Sequence, residues 1–414
     1  MPQCAANTKK GTPCPYKAKE GQKYCGTHLK QKRWRKVLSA VSIGIFSLGV
    51  LGFIANITGI LDYFGIKPVP HFTPITTQVA WVYVTPVGQQ TTIPTLSLSL
   101  SNPGAIAKCF DVGSGLNGIA WVSQDLLATS GSAIRIWRTT DGILQRTISP
   151  QVGGIRSMAI SPDGKTIITS ESSYDSGYIV FYDATTGYKI REIEWSPLSE
   201  PTGKWVNIVL FSPDGKTFAG GSNDGGVRIW NSQTGELIQL FNHSRNGELL
   251  SGLIELLAYS PDSQILATGS SDPRNDKYRI YFWRISDGQL LFTLEFGGWR
   301  SIDSIAFSPN GTTFAVGTDV GPINLYKVVD GSQLATLEGH LNSVNSLSWA
   351  PDGSLLASGG SDKTIRLWNP LSGNQVLLLS GHSDSISSVA FSKDGKALAS
   401  GSDDHKVCLW ENIP

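Results

Sequence analysis

From Trp121 to the C-terminus the chain repeats one unit seven times, and the two clearest copies end in Ile365-Arg366-Leu367-Trp368 and Val407-Cys408-Leu409-Trp410. The aromatic closing each unit falls at Trp137, Tyr182, Trp230, Trp283, Tyr326, Trp368 and Trp410, spaced between forty-two and fifty-three residues apart. A unit of that length cannot bury its own apolar face, so neighbouring units must stack to make a core. Each unit reads as an apolar strand, a tight turn, a strand of small residues and a third strand ending in the aromatic. The turn is spelled Ser161-Pro162-Asp163-Gly164, Ser212-Pro213-Asp214-Gly215 and Ser308-Pro309-Asn310-Gly311, with Ala350-Pro351-Asp352-Gly353 and Ser392-Lys393-Asp394-Gly395 as variants. Proline presets φ, Asp or Asn tolerates the next position and Gly supplies a positive φ, so the repeated aspartates are turn residues rather than acids of a reaction. A further Gly five residues past the aromatic marks the turn into a fourth strand in the first six units. Four strands per unit predict an all-β, seven-bladed β-propeller.

This set of residues closely resembles the WD-repeat (WD40) family of β-propellers over residues 105–414. The resemblance is strongest in the last two blades and weakest in the first two. It implies a buried hydrogen-bond chain, which falls here on His340, Ser358, Asp362 and Trp368, and again on His382, Ser400, Asp404 and Trp410. A His, a Ser and an Asp also compose a hydrolase triad. The same set at matching positions of two blades favours the structural role. Asp224 and Trp230 lack the His, and Tyr182 and Tyr326 stand where Trp would, so those blades are expected to be held mainly by apolar packing.

The last unit stops at Pro414, four residues past Trp410, without a fourth strand. An open edge there invites mispairing. The segment before the first unit aligns Ile106 to Phe110 with an outer strand, so this N-terminal strand is expected to close the ring beside Val407 to Trp410. Closure brings Cys109 and Cys408 onto adjacent strands. Two outcomes stay open for them: a disulfide across the seam, or two buried thiols.

The rest of the chain sorts its charge. Residues 1–36 hold ten Lys or Arg against Glu20, which leaves the remainder net acidic by about eight charges. Val37 to Leu61 carries no ionisable side chain and is long enough for a transmembrane helix. The basic segment 31–36 (Lys32, Arg33, Arg35, Lys36), with Lys30 just before it, against Lys67 as the lone basic residue from Asp62 to Ala107, predicts a cytoplasmic N-terminus and an extracytoplasmic propeller. Its place against an apolar span accounts for the basic run by topology, and no nucleic-acid partner is expected. Residues 62–104, with six prolines among Thr and Ser, read as an extended stalk. In residues 1–30, Cys4, Cys14, Cys25 and His28 make a complete tetrahedral set for a structural zinc, and the pattern resembles small Cys3His modules. The competing reading is a flexible basic tail with incidental cysteines.

No phosphate loop, nucleophile elbow or propeller metal cluster is evident, so no catalytic residue is assigned and the chain is expected not to be an enzyme. Excess blade length falls at Glu171 to Gly177, Asp272 to Tyr278, Trp195 to Lys204 and Asn242 to Ser251, connections that the resemblance to WD-repeat propellers implies emerge on one face. Tyr174, Trp195, Trp205, Arg245, Arg274, Trp299 and Arg300 supply the residue types of binding hot spots there. The leading expectation is a membrane-anchored, non-catalytic scaffold or ligand-binding platform for protein partners on the propeller's top face. The alternatives are an ectoenzyme or sensor using the propeller channel, or a soluble scaffold if the apolar segment is no span.

Overall fold

A computed structural model describes residues 106–413 apart from 114, 174–175, 196–204, 243, 246–247, 250–252, 273–276 and 298–300. The expected zinc module, basic segment, membrane span and stalk lie outside the described residues. Among the described residues no helix is long and apolar enough to cross a membrane.

Seven four-stranded antiparallel sheets form the described part, each with its strands in chain order except the last. Blade 1 begins with Gly118–Trp121, blade 2 with Gly154–Ile160, blade 3 with Val206–Phe211 and blade 4 with Ile254–Tyr259. Blades 5, 6 and 7 begin with Ile302–Phe307, Val344–Trp349 and Ile386–Phe391. These first strands contact one another around the ring and so lie innermost, while the fourth strands face outward with exposed Leu144, Ile190, Leu290 and Leu334. This is the seven-bladed β-propeller that the repeat predicts.

Among the described residues there is no single central core. Seven apolar clusters each combine side chains from two neighbouring blades, as where Phe181 and Ile179 of blade 2 meet Val209, Phe218 and Trp230 of blade 3. Each blade therefore supplies both faces of its sheet to burial, which is why its second and third strands are apolar or small almost throughout: Leu398, Ala399, Val407, Leu409 and Trp410 are each at most 3 % exposed.

The ring closes as the missing fourth strand requires. Ile106–Asp111 pairs antiparallel with Lys406–Glu411 and completes blade 7. Cys109 lies directly opposite Cys408, with a Cα–Cα distance of 4.0 Å, and the two form a disulfide across 299 residues of sequence. Val112, Leu116 and Trp121 then pack with Ala399, Val407 and Leu409 to join blade 1 to blade 7.

The ends of two of the length excesses belong to strands. The second and third strands of blade 2 pair from Thr166↔Asp183 to Ser172↔Gly177, and those of blade 4 from Ile265↔Arg284 to Asp272↔Lys277. Glu171, Ser172, Gly177, Asp272, Lys277 and Tyr278 thus extend the pairing of the two hairpins, which satisfies backbone hydrogen bonds there. A third excess forms a small hairpin of its own, Ser244–Arg245 with Glu248–Leu249.

The repeated turns are built as their residues demand. Ser161 Oγ donates to Asp163 Oδ1 at 2.6 Å, the Lys165 amide donates to the same oxygen, and Gly164 takes φ 73°. The Ser161 hydroxyl and that amide hold the Asp163 carboxyl below its ordinary range. In blade 4 the glycine position is Ser263, at φ 60°, whose hydroxyl accepts from the Asp214 amide of blade 3.

Candidate functional site

The two His-Ser-Asp-Trp sets are assembled by the blade fold itself. The second strand of blade 6, Leu356–Gly360, brings Ser358, and the third, Thr364–Trp368, brings Trp368. His340 arrives from the connection before the blade, and Asp362 from the turn between those strands. Trp368 Nε1 donates to Ser358 Oγ at 2.8 Å, Ser358 Oγ lies 2.7 Å from His340 Nε2, and His340 Nδ1 lies 3.0 Å from both oxygens of Asp362. A carboxylate only accepts, so Nδ1 carries the proton and Nε2 accepts from the serine hydroxyl. Blade 7 repeats this with Trp410 to Ser400 at 2.8 Å, Ser400 to His382 at 2.8 Å and His382 to Asp404 at 3.0 and 3.1 Å. The turn carboxylates also accept from Leu341 and Ser383 amides, fastening the incoming connection.

Burial decides against a triad. Ser358 and Ser400 are 0 % exposed and each already accepts from an indole, so neither can meet a substrate. Desolvation lowers both imidazole pKa values, against the raising effect of the neighbouring aspartates. Both aspartates are held below their ordinary range: burial opposes this, and hydrogen bonds together with the facing histidine outweigh it.

Blades 2 and 3, expected to be held mainly by apolar packing, add buried polar bonds of their own to their apolar clusters. In blade 2, Glu171 occupies the strand position of Gly360 in blade 6, each being the partner of the residue that opens the inner-strand bulge. A side chain added at Gly360 would run into His340 Nδ1 at 2.8 Å, so one site holds either the imidazole or the glutamate. Glu171 is 0 % exposed and accepts from Tyr182 Oη at 2.6 Å, Thr169 Oγ1 at 2.9 Å and the Gln151 and Val152 amides at 2.7 and 3.0 Å. Burial and the bond to Glu171 raise the Tyr182 pKa far above its ordinary value. One carboxyl thus does what His and Asp do together in blades 6 and 7.

In blade 3 the same task falls to Trp195. Its Nε1 donates to Asp224 at 3.2 Å, its ring packs on Trp230 at 5.7 Å between centroids, and the Arg228 guanidinium lies 4.0 Å over its face. Gly220 stands where blade 6 has Ser358, and a Cβ there would meet Trp195 and Trp230 at 3.1 and 3.3 Å. Loss of the serine makes the room that the second indole fills. Trp195, 2 % exposed, is therefore a core residue and not part of a binding face.

Of the other face candidates, Trp205 is half-buried, donating its indole N–H to the Ser173 carbonyl at 2.8 Å beneath the Arg156 guanidinium. Arg245 lies in the short hairpin opposite Glu248. Tyr174, Arg274, Trp299 and Arg300, like Cys4, Cys14, Cys25 and His28, lie outside the described residues.

A different group of residues, which the sequence reading passed over, rings the axis. Each inner strand from blade 2 onward has a bulge after its first residues, placing Arg156, Asn207, Glu255, Asp303, Asn345 and Ser387 at equivalent positions, with Asn117 just before the inner strand of blade 1. Three asparagines there bridge blades: Asn117 Nδ2 donates to the Ile155 carbonyl at 2.9 Å, Asn207 to Ile254 at 3.3 Å and Asn345 to Ile386 at 2.8 Å. Blades 4 and 5 carry carboxylates instead.

Comparison with known proteins agrees with this architecture. The WD domain, G-beta repeat family matches residues 142–183, 195–231, 331–369 and 373–411. Four segments of the chain thus match WD40 repeats, and the described residues form a seven-bladed propeller. The match at 142–183 includes blade 2, one of the two blades in which the sequence pattern is least complete. Among curated relatives, the chain is 29 % identical over 140 residues to the Target of rapamycin complex subunit wat1 of Schizosaccharomyces pombe, covering 30 % of this chain and 41 % of that protein. It is 31 % identical to the COMPASS component SWD3 of Saccharomyces cerevisiae, over 28 % of this chain and 38 % of SWD3. It is 29 % identical to WD repeat-containing protein VIP3 of Arabidopsis thaliana, over 52 % of each. The chain spans less than two thirds of the length of these relatives.

Proposed function

We propose that this protein is a non-catalytic, membrane-anchored platform whose propeller stands outside the cytoplasm and binds protein partners on its top face. Residues 37–61 are the anchor, and Cys4, Cys14, Cys25 and His28 hold a structural zinc on the cytoplasmic side. The observation that carries the topology is the bond between Cys109 and Cys408 across the closing seam. Structural disulfides persist in oxidising compartments, the same side on which the positive-inside rule leaves the propeller. The platform reading draws support from the sealed His-Ser-Asp sets, and from relatives whose names describe a complex subunit and a complex component.

The topology is tested in membranes carrying the full chain. Carbonate extraction should leave it in the pellet, an external protease should reach only the propeller, and Cys109 and Cys408 should resist alkylation until reduced. Release by carbonate, or two free thiols without reductant, overturns the topology. The face is tested by crosslinking and recovery from intact membranes with Arg245→Glu/Arg274→Glu, and unchanged recovery of the same partners would remove it. Metal analysis of the full chain should find one zinc, lost in Cys14→Ser/Cys25→Ser.

A further inference from the structure

The triplet Asn-x-Ser/Thr, which accepts N-linked sugar in exported proteins, occurs at Asn56-Ile57-Thr58, Asn242-His243-Ser244 and Asn310-Gly311-Thr312. Asn56 falls inside residues 37–61, the proposed anchor. Asn242 ends the outer strand Leu237–Asn242 of blade 3, where its backbone pairs with Gly226. Asn310 stands in the turn that joins the inner strand Ile302–Phe307 of blade 5 to Thr313–Thr318.

That turn gives an asparagine no task that an aspartate would not perform. The equivalent turns carry Asp163, Asp214, Asp262, Asp352 and Asp394, and in each one carboxylate oxygen accepts from the amide two residues on. Asn310 Oδ1 does the same, accepting from the Thr312 amide at 3.1 Å, and also from Ser308 Oγ at 2.7 Å and Thr312 Oγ1 at 2.8 Å. The Ser354 hydroxyl reaches Asp352 Oδ1 in the same way at 2.7 Å, so the added hydroxyl needs no carboxamide either. A backbone amide only donates, which fixes the atom it meets as the oxygen of Asn310. What the carboxamide adds is Nδ2, on an exposed side chain and with no partner among the described residues. Every bond of this turn is made by the oxygen, so a substituent on Nδ2 breaks none.

There is also a place for the substituent to lie. Beside Asn310 opens a shallow hollow of about 490 Å³, lined by Gly311, Thr312, Lys327, Val328, Val329 and Leu334. The Val328 amide, bonded to the Thr312 carbonyl at 3.0 Å, fixes this wall against the turn. Val329 is 83 % exposed on it. A sugar ring has a face of C–H groups, and seated there it would take Val329 and Leu334 out of water. The turn lies at the end of the blade opposite the hairpins that join second to third strands, so a glycan here stays clear of the proposed partner face.

We propose that Asn310 is an N-glycosylation site whose donor is an oligosaccharide carried on a polyprenyl diphosphate. Nδ2 attacks the anomeric carbon of the first sugar, and the new N–C bond replaces the C–O bond to the diphosphate. The lipid diphosphate leaves, and Nδ2 gives up one proton to a base of the transferring enzyme. The site rests on the proposed topology, which exposes the propeller on the side where exported proteins acquire such sugars.

The test uses the full chain purified from the membranes of its own cells. Peptide mass spectra should show the segment containing Asn310 at its own mass plus sugar residues in most copies, and peptide-N-glycosidase should remove the sugar and leave aspartate at position 310. Asn310→Gln and Thr312→Val, both at exposed positions, should each lose that sugar and its gel-mobility shift. Asp352→Asn spells the same triplet with Ser354 in the matching turn of blade 6 and should gain a further glycan. Asn242→Gln should leave the Asn310 peptide unchanged. An unmodified Asn310 in a propeller that external protease reaches overturns this site and leaves the topology standing. A propeller closed to external protease in intact cells overturns both. Aspartate at position 310 before enzyme treatment would mark loss of ammonia from the Asn-Gly pair, and refutes a sugar there.

Discussion

Blades 6 and 7 and blades 2 and 3 solve one problem by unlike chemistry. Each must pin the incoming connection, the second strand and the closing aromatic into one rigid wedge. Blades 6 and 7 do it with four side chains from four elements, in which an imidazole relays between a hydroxyl and a carboxylate. Blade 2 uses one buried glutamate with four donors around it, and blade 3 a second indole packed edge-on to Trp230 and held by an Asp and an Arg. Blade 5 shows the limit of the series: its second strand offers Val316 at the serine position, and Tyr326 stacks on Phe314 at 5.3 Å between centroids. The difference teaches that the fold constrains the volume and the hydrogen-bond count at this point more tightly than it constrains the residues.

The largest expected effect follows from concentrating four bonds on one group. Glu171→Ala takes the acceptor from the buried Tyr182 hydroxyl and from two part-buried amides and leaves the Thr169 hydroxyl only its longer bond to the Val180 carbonyl at 3.5 Å, and should cost about 4 kcal/mol. His340→Ala leaves Ser358 with its indole partner and Asp362 with its amides, and should cost about half as much. Urea unfolding midpoints at neutral pH give the comparison. Equal losses would show that blade 2 is held by its apolar contacts after all.

A smaller effect tests exchange of one solution for the other. Gly220→Ser alone restores the hydroxyl of blade 6 but drives a Cβ into Trp195 and Trp230, an overpacking of about 2 kcal/mol. Trp195→His alone empties a large site and should cost about 3 kcal/mol. The double variant places Ser, His, Asp224 and Trp230 in the blade 6 arrangement, so it should cost less than the sum by at least about 1 kcal/mol. Strict additivity in a double-mutant cycle would separate the two positions and dissolve the comparison.

How far the sequence could be read follows the same division. The blades and the turns were legible because a repeated backbone conformation demands fixed residue types at fixed offsets, as Gly164 and its equivalents show at positive φ, the closing strand because the last unit lacks its fourth, and both His-Ser-Asp-Trp sets because the resemblance to WD-repeat propellers implies them. The substitutes were not. Glu171 and Trp195 enter from positions that carry no such residue in other blades, and Trp195 meets Asp224 from 29 residues away. A signal did exist: Gly220 leaves a void that something must fill, and Glu171 is a lone acid in the strand Thr166–Ser172, otherwise apolar or small. Trp195 is no surface hot spot because the connection between blades 2 and 3 begins by folding its indole into their shared core. The carboxylates Glu255 and Asp303 escaped notice since the bulge that aligns them with Asn207 and Asn345 is a property of pairing and leaves no mark in composition.

The smallest effect separates the two regions by pH. His340 and His382 have folded-state pKa values below the ordinary histidine value because burial disfavours the charged form. Unfolded chains therefore take up protons at these two sites that the folded protein refuses. Their contribution is present above about pH 6.5, the unfolded value, and is lost as pH falls below it. Asp362 and Asp404 are held low, so their contribution persists through that window and fades only on further acidification, below the unfolded aspartate value near about 3.9. The blade 3 set contains no imidazole. Between pH 7 and 5 the wild-type midpoint should fall, and His340→Gln/His382→Gln should start lower but lose less over the same interval. Trp195→Phe should lower the midpoint by a constant amount at every pH. Parallel pH profiles for all three proteins would mean that the imidazoles are not what makes blades 6 and 7 acid-sensitive, because a neutral relay that is dry in the folded state has no other way to respond to protons.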